Sequence, residues 1–332
     1  MTTIRDVAKL AEVSVATVSR VINENGYVNS QTKEKVEAAI RALDYRPNDV
    51  ARSLFKGKSK MIALFVPDIM NPFFPELARA VEDITNKYGY TFILCNTDND
   101  NEKEMTYLYA LSQKSIDGII LVSNTMTSDQ LNKVKLPIIS LDRKTNADSI
   151  SITVNNQEGA TQAVQFLQKQ GCQRIAHIAG PENASSARYR KQGYLNVVKN
   201  EQWFSTDYIK SGNYTIEGAY KATISLLESN PNIDGIFTAN DVMGVGVLRA
   251  ASSLGLKVPD DLSVIGFDGI ELGETTFPSL TTMAQPIYQI GKRAAEILIE
   301  KIEKPGSVIE SEEHSVQLMK RESTVRRSCH NG

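Results

Sequence analysis

From residue 61 onward, short apolar runs alternate with segments of helical period, and this alternation restricts the fold more than any other feature. The runs are Met61–Val66, Thr91–Leu94, Gly118–Val122, Pro137–Leu141, Arg174–Ile178, Gly235–Thr238 and Leu262–Phe267. Between them lie helical stretches at Glu76–Tyr88, Ala160–Lys169, Ile216–Leu227 and Met243–Leu254. A strand can rejoin a parallel neighbour only through a crossover, and a helix is the usual one. The pattern therefore predicts an α/β class of doubly wound parallel sheets. At roughly 270 residues it exceeds one such unit, so two similar lobes are expected.

The first 45 residues read differently. Thr3 heads a helix with Ile4, Val7, Ala8 and Ala11 at helical spacing; Ser14 heads a second with Val15, Val18 and Ile22; Ser30 heads a third with Val36, Ala39, Ile40 and Leu43. Only a tight turn fits Ala11-Glu12-Val13-Ser14, and the three-helix pattern is that of a helix-turn-helix. The next segment, Arg46 to Lys58, has Pro47 at a first-turn position and Gly57 as a stop. Its two turns are too short to hold a helix without a partner. Charge divides along the same line. Residues 1–60 carry 11 Lys/Arg against 7 Asp/Glu, a net of +4, while the other 26 and 32 leave residues 61–332 at −6. A basic head on an acidic body suits a polyanionic partner for the head alone.

In a helix-turn-helix the second helix lies in the major groove with its first turn at the base edges. Here that helix is Val15–Asn23, with Val18 and Ile22 facing the core and Val15, Ala16 and Arg20 pointing outward. Arg20 can donate two hydrogen bonds to guanine, worth ~1–3 kcal/mol of discrimination. Val15 and Ala16 can touch a thymine methyl, and Thr17, Ser19 and Asn23 can reach phosphates or base edges. Thr3, at the head of the first helix, joins this candidate set.

Three stretches carry a resemblance: Thr3-Ile4-Arg5-Asp6-Val7-Ala8, Val13-Ser14-Val15-Ala16-Thr17-Val18-Ser19-Arg20-Val21-Ile22-Asn23, and Tyr45-Arg46-Pro47-Asn48. Through its whole head the chain resembles the lactose/galactose repressor family of bacterial transcription regulators. The resemblance implies that the segment after Pro47 is a hinge helix that folds when two subunits meet on operator DNA. Its leucine, which falls on Leu54, would wedge into the minor groove, with Arg52 and Lys56 tracking phosphates. The implied division is a head over 1–46, a hinge over 47–58 and a two-lobed body over 59–330. The N-lobe would take about 60–158 and 289–318, and the C-lobe about 159–288 with the C-terminal segment.

In open α/β sheets, ligands bind outside the carboxyl ends of the strands. The residues that follow the apolar runs are Asn71, Phe73 and Phe74; Asp142 and Arg143; Arg188 and Arg190; Asn240 and Asp241; Asp268; and Gln285. Taken singly, each is more often a helix-capping loop residue. Together they suit a monosaccharide, whose hydroxyls need paired donors and acceptors and whose C–H faces pack on rings such as Phe73, Phe74 and Tyr214. The body also resembles the periplasmic sugar-binding proteins, of which the ribose-binding kind is most similar. That resemblance places effector contacts on Asn71, Phe73, Phe74, Asp142, Arg143, Arg190, Asn240, Asp268 and Gln285. It places an aromatic on Tyr214, where the ribose-binding kind has Phe. Ribose is the effector it implies, with another pentose or a phosphorylated sugar as the alternatives. Relatives that sense a phosphoprotein also exist.

Other classes fit poorly. No G-x-x-x-x-G-K-[ST] loop is present, Gly244-Val245-Gly246 is not a dinucleotide fingerprint, and His177, His314 and His330 are scattered. No catalytic residue, metal site or cofactor is expected. Cys95, Cys172 and Cys329 are odd in number and far apart, as reduced cytosolic thiols are. The N-terminus is charged within five residues and reads as no signal peptide, and no apolar run approaches the ~20 residues of a membrane span. A cytoplasmic homodimer is expected, with operator double-stranded DNA and a small sugar as partners; tetramer-forming heptads are absent after Arg327. Release of the DNA is the expected effect of a catabolic sugar, although the purine repressor of the same family works with the opposite sign, so the sequence does not fix the direction.

Overall fold

The computed structural model describes residues 2–23, 25–45, 58–122, 125–142 and 150–324, and the chain divides into two units, residues 1–60 and 61–332. The expected hinge over 47–58, with Arg52, Leu54 and Lys56, lies outside the described residues apart from Lys58. So does Arg143.

The first unit contains α1 (Ile4–Leu10), α2 (Val15–Asn23) and α3 (Ser30–Ala42). The Asp6 carboxylate accepts from the Thr3 N–H at 2.8 Å and from the Thr3 hydroxyl at 2.7 Å, which closes the first turn of α1. Ser14 Oγ accepts from the Thr17 N–H and caps α2. The third cap differs from expectation. Asn29, not Ser30, precedes α3; its backbone is not helical (ψ 141°), and its Oδ1 accepts from the Gln31 N–H at 2.8 Å. Ser30 is already helical. Val7, Ala8, Ala11, Val18, Val21, Val36 and Ala39 form the buried cluster, with Ile22 only packed against it. The apolar stripe of α2 therefore centres on Val18 and Val21, and Val15 stays exposed.

The second unit is built on two six-stranded sheets. The first comprises β1 (Met61–Val66), β2 (Thr91–Asn96), β3 (Gly118–Leu121), β4 (Ile138–Leu141), β5 (Ile150–Val154) and β11 (Glu312–His314), in the order β11-β5-β4-β3-β1-β2. The other comprises β6 (Ile175–Ala179), β7 (Ile209–Ser211), β8 (Gly235–Thr238), β9 (Ser263–Asp268), β10 (Thr281–Ala284) and β12 (Gln317–Met319), in the order β12-β10-β9-β8-β6-β7. Both have the same winding, with strand order reversing beside the first strand of each lobe. All the pairings are parallel except that of β10 with β12. An antiparallel edge on a parallel sheet is common.

Helices α4 (Phe73–Lys87), α7 (Asn156–Lys169), α9 (Ile216–Ser229) and α10 (Asp241–Ser253) correspond to the four expected stretches, with starts a few residues earlier for all but the third. Four more are present: α5 (Asn101–Gln113), α6 (Ser128–Asn132), α8 (Ser185–Val198) and α11 (Ile287–Glu303). In α8, Ser185, Ser186 and Arg190 are buried beside Ala187, Tyr194 and Val198, so polarity hides its inner face. Among the described residues the chain passes between the sheets three times: from β5 into α7 at Asn155, from β10 into α11 at Gln285–Pro286, and from β11 into β12 at Ser315–Val316.

The second sheet encloses His177, fully buried and stacked between Tyr194 and Phe237 at 5.2 and 4.8 Å. Its Nδ1 lies 3.0 Å from the Phe237 carbonyl, and among the described residues its Nε2 has no partner. Burial holds its pKa down to about 4 from the ordinary 6.5. Unfolded chains take up this proton as pH falls through 6.5, whereas the folded protein resists until about 4. The body is therefore expected to lose up to ~3 kcal/mol of stability between these values. Urea unfolding at pH 7 and pH 4.5 checks this, and His177→Gln should flatten that part of the profile.

Candidate functional site

A cavity of about 140 Å³ opens at the carboxyl ends of the strands of both sheets. That is well below the ~300–1,000 Å³ of sites for drug-sized ligands, which suits a single small molecule. Asn71, Phe73 and Phe74 reach it from the loop after β1 and the start of α4. Asp142 comes from the end of β4, Arg190 from α8, Tyr214 from the turn after β7, Asn240 from the end of β8, Asp268 from the end of β9 and Gln285 from the end of β10. Every described member of the expected effector set thus lines one cavity. Arg188 does not: its guanidinium donates to the Glu182 and Asn183 carbonyls and only ties down its own loop.

Arg190 and Asp268 form the centre, 2.9 Å apart between Nη1 and Oδ1 and both nearly buried. Arg190 Nη1 also donates to the Ala239 carbonyl, Nε donates to Asn156 Oδ1 at 2.8 Å, and the guanidinium lies 3.8 Å from the centroid of the Phe267 ring. Gln285 Nε2 donates to Asp268 Oδ1 at 2.7 Å. Burial drives the Asp268 pKa up to about 6, and Arg190 draws it back. Burial likewise raises Asp142, against the pull of Arg190 and of a hydrogen bond from Ser186. The Tyr214 hydroxyl, 3.3 Å from Ser186 Oγ, is pushed up by burial to about 12 and stays a neutral donor.

The unused valences define what the cavity can bind. Asn71 Oδ1 accepts from the Phe73 N–H and Asn240 Oδ1 caps α10 through the Met243 N–H. Among the described residues nothing accepts from Arg190 Nη2, Asn71 Nδ2 or Asn240 Nδ2, and nothing donates to Asp268 Oδ2 or Gln285 Oε1. Donors and acceptors in one small space match a polyol, each hydroxyl of which needs both. Phe73 and Phe74 meet edge to face at 5.2 Å and give the cavity an apolar wall.

Backbone strain gathers here. Asn99, Asp142, Asn213, Tyr214 and Asp268 all line the cavity and all have positive φ, reaching 113° at Asp268. Asn and Asp tolerate this region; a tyrosine and a φ beyond 100° do not without outside support. Asp241, buried behind Asp268, supplies part of it. Its Oδ2 accepts from the Gly269 and Ile270 N–H groups at 2.7 and 3.0 Å, and its Oδ1 accepts from Thr282 Oγ1 at 2.6 Å. Burial and the Asp268 charge push its pKa up to about 8. The sequence groups Asp241 with Asn240 among the polar residues after the apolar runs; the structure places Asn240 on the cavity and Asp241 behind it. Ser186, Asn183, Asn99, Asn213 and Thr215 also line the cavity without having been expected there. Their one signal is position after a strand, shared with many capping residues.

On the head, α2 exposes Val15, Ala16 and Arg20. Thr17 Oγ1 shares a hydrogen bond with Ser14, and Asn23 Nδ2 turns back onto the Ser19 carbonyl and hydroxyl. Thr3 is occupied by Asp6. In this structure Val15, Ala16 and Arg20 are therefore the side chains of the set most open to a partner. Among the described residues no helix is long and apolar enough to cross a membrane, and no three His, Cys, Asp or Glu gather as a metal site.

Comparison with known proteins covers both parts of the chain. Residues 3–48 match bacterial regulatory proteins of the lacI family, and residues 59–322 match periplasmic binding proteins and the sugar binding domain of the LacI family. A ribose operon repressor of Halalkalibacterium halodurans is 47% identical over 324 residues, 98% of this chain and 97% of that protein. The lac repressor dimer bound to operator and the anti-inducer ONPF is 27% identical, with a TM-score of 0.88 over 98% of this chain and 99% of that one. A LacI family transcriptional regulator from Enterococcus faecium with bound ribose is 30% identical, with a TM-score of 0.72 over 81% of this chain and 100% of that one.

Arg190→Ala strands the Asp268 carboxylate in a buried site. Chemical denaturation should show a loss of ~3–5 kcal/mol. Arg190→Met combined with Asp268→Leu, which removes both charges, should recover at least half of it.

Proposed function

Because the chain belongs to the lacI family of bacterial regulatory proteins, and is a sugar-responsive repressor of that family, we propose that ribose is its effector. We propose further that it binds a near-palindromic operator as a homodimer and that ribose releases the DNA. Family members are transcriptional regulators rather than enzymes. The observation that carries the ribose reading is the cavity itself, with its unspent donors on Arg190, Asn71 and Asn240, its acceptors on Asp268 and Gln285, and its aromatic wall. The 47% identity to a ribose operon repressor and the ribose-bound relative support it. A phosphorylated sugar fits less well. Among the described lining residues Arg190 is the one cation, already paired, and Asp68, Asp142 and Asp268 are anions.

In the mechanism we propose, Arg190 and Asp268 hold the sugar's hydroxyls from the second lobe while Asn71, Asp142 and the Phe73–Phe74 wall hold it from the first. Sugar then favours the arrangement in which both sets reach it at once. It acts on DNA binding only through its differential affinity for the two arrangements. On the head, Arg20 reads a guanine, with Val15 and Ala16 against neighbouring bases; Arg52, Leu54 and Lys56 of the hinge contact the minor groove and backbone.

Calorimetric titration with ribose, arabinose, xylose, glucose and ribose 5-phosphate tests the effector. Selective ribose binding that vanishes in Asp268→Ala supports it; binding of ribose 5-phosphate alone overturns it. Affinity should also fall as pH drops below about 6, because protonated Asp268 no longer offers its second oxygen as a charged acceptor. Equal affinity at pH 5 and pH 7.5 would contradict that role. Arg20→Ala should weaken operator binding by ~1–3 kcal/mol and relax the preference at one base pair, as read by fluorescence anisotropy on single-base operator variants.

A further inference from the structure

We propose that Asn156, which does not line the cavity, is the positioning residue through which effector occupancy reaches the joint between the lobes. The proposal rests on the reading of the cavity as the effector site. Asn156 is 3% exposed and is the first residue of α7, directly after the crossing from β5. Its side-chain amide holds both sides of that crossing. Oδ1 accepts from Arg190 Nε at 2.8 Å, on the second lobe. Nδ2 donates at 3.2 Å to the carbonyl of Val154, the last residue of β5 in the first lobe. Any rotation of one lobe against the other must change the dihedrals of residues 154–156, and the Nδ2 bond spans them.

The other crossings join the same network. At the second, Gln285 gives its backbone N–H to the Asp268 carbonyl at 2.8 Å and its side chain to Asp268 Oδ1. At the third, the His314 carbonyl accepts from the Asn155 N–H at 3.0 Å. Arg190 thus stands between the cavity and two crossings: among the described residues Nη2 has no acceptor and is left for a ligand, Nη1 is on Asp268, and Nε is on Asn156. Packing makes this connection stiff. A Cβ on Gly193 would come within 2.3 Å of the Gln157 carbonyl, so α8 and the start of α7 touch backbone to backbone and move together. The Val154 bond is then the compliant link, and Asn156 sets its strength.

Asn156→Asp separates the two halves of the amide. A carboxylate still accepts from Arg190 but cannot donate to Val154. In the full-length protein, sugar affinity by calorimetry should stay within about threefold of wild type. The ratio of operator affinities without and with sugar, ordinarily ~5–150-fold in allosteric proteins, should collapse to within about twofold. Hydrogen exchange at residues 154–159 of the sugar-free protein should quicken by about tenfold, consistent with the loss of one buried hydrogen bond. Asn156→Ala, which also removes the acceptor for Arg190, should weaken the sugar as well. A retained ratio in Asn156→Asp overturns the proposal, as does unchanged exchange in both variants. If wild type itself does not respond to ribose, the effector assignment fails, and the sugar-free exchange still decides the role of Asn156.

Discussion

The buried pair of Arg190 and Asp268 is the contact on which the body's organisation turns. Two opposite charges removed from water carry a desolvation cost that their attraction offsets only with good geometry and additional hydrogen bonds. Here Asp268 takes Arg190 and Gln285, and Arg190 takes the Ala239 carbonyl, Asn156 and the face of Phe267. Those partners come from α7, α8, β9 and the ends of β8 and β10, so the pair ties together much of the second lobe. What the described residues leave unpaired, two N–H groups on Nη2 and one oxygen on Asp268, belongs to two residues that line the cavity. The same arrangement therefore orders the lobe and supplies polar valences for a ligand.

Strain and support are arranged around that pair in a consistent way. Asp268 holds a φ of 113°, and the carboxylate of Asp241 grips the two backbone N–H groups that follow it. Gly266 has to lack a side chain, since a Cβ would stand 2.1 Å from Asp241 Oδ1. A strained corner backed by a buried acid is rigid, and rigid placement of a polar group is what lets a site reject a sugar with one hydroxyl misplaced. The first lobe meets it with a softer surface, the Phe73–Phe74 pair and Asn71. Val242, from α10, and Ile270, from the loop after β9, pack into the first lobe's apolar cluster. Polar valences and apolar packing both cross the cleft, so a ligand there has contacts to gain from each lobe.

Much of this was legible in the residues, for physical reasons that differ by element. Strands buried on both faces must be apolar throughout, so β1, β3, β8 and β9 announce themselves. The short β7, β11 and β12 carry no such run, and α8 hides its inner face behind buried Ser185, Ser186 and Arg190. The rule that ligands lie at strand carboxyl ends brought the polar residues after β1, β4, β8, β9 and β10 onto one list. It could not separate Arg190, in the cavity, from Arg188, two residues away, which caps its own loop. Helical geometry decided that: two residues along a helix lie on opposite faces.

The sequence by itself determined the two-part organisation, the doubly wound class, the outward face of α2 and most of the polar set, because each follows from local period and the chemistry of single residues. Tertiary structure alone decided which polar groups are spent on one another and which remain for a ligand. It also decided that Asn29 rather than Ser30 caps α3, and that Asn156 and Asp241 stand behind the cavity. Those facts depend on distances between residues as far apart in the chain as Arg190 and Asp268, and no local pattern encodes a distance across a fold.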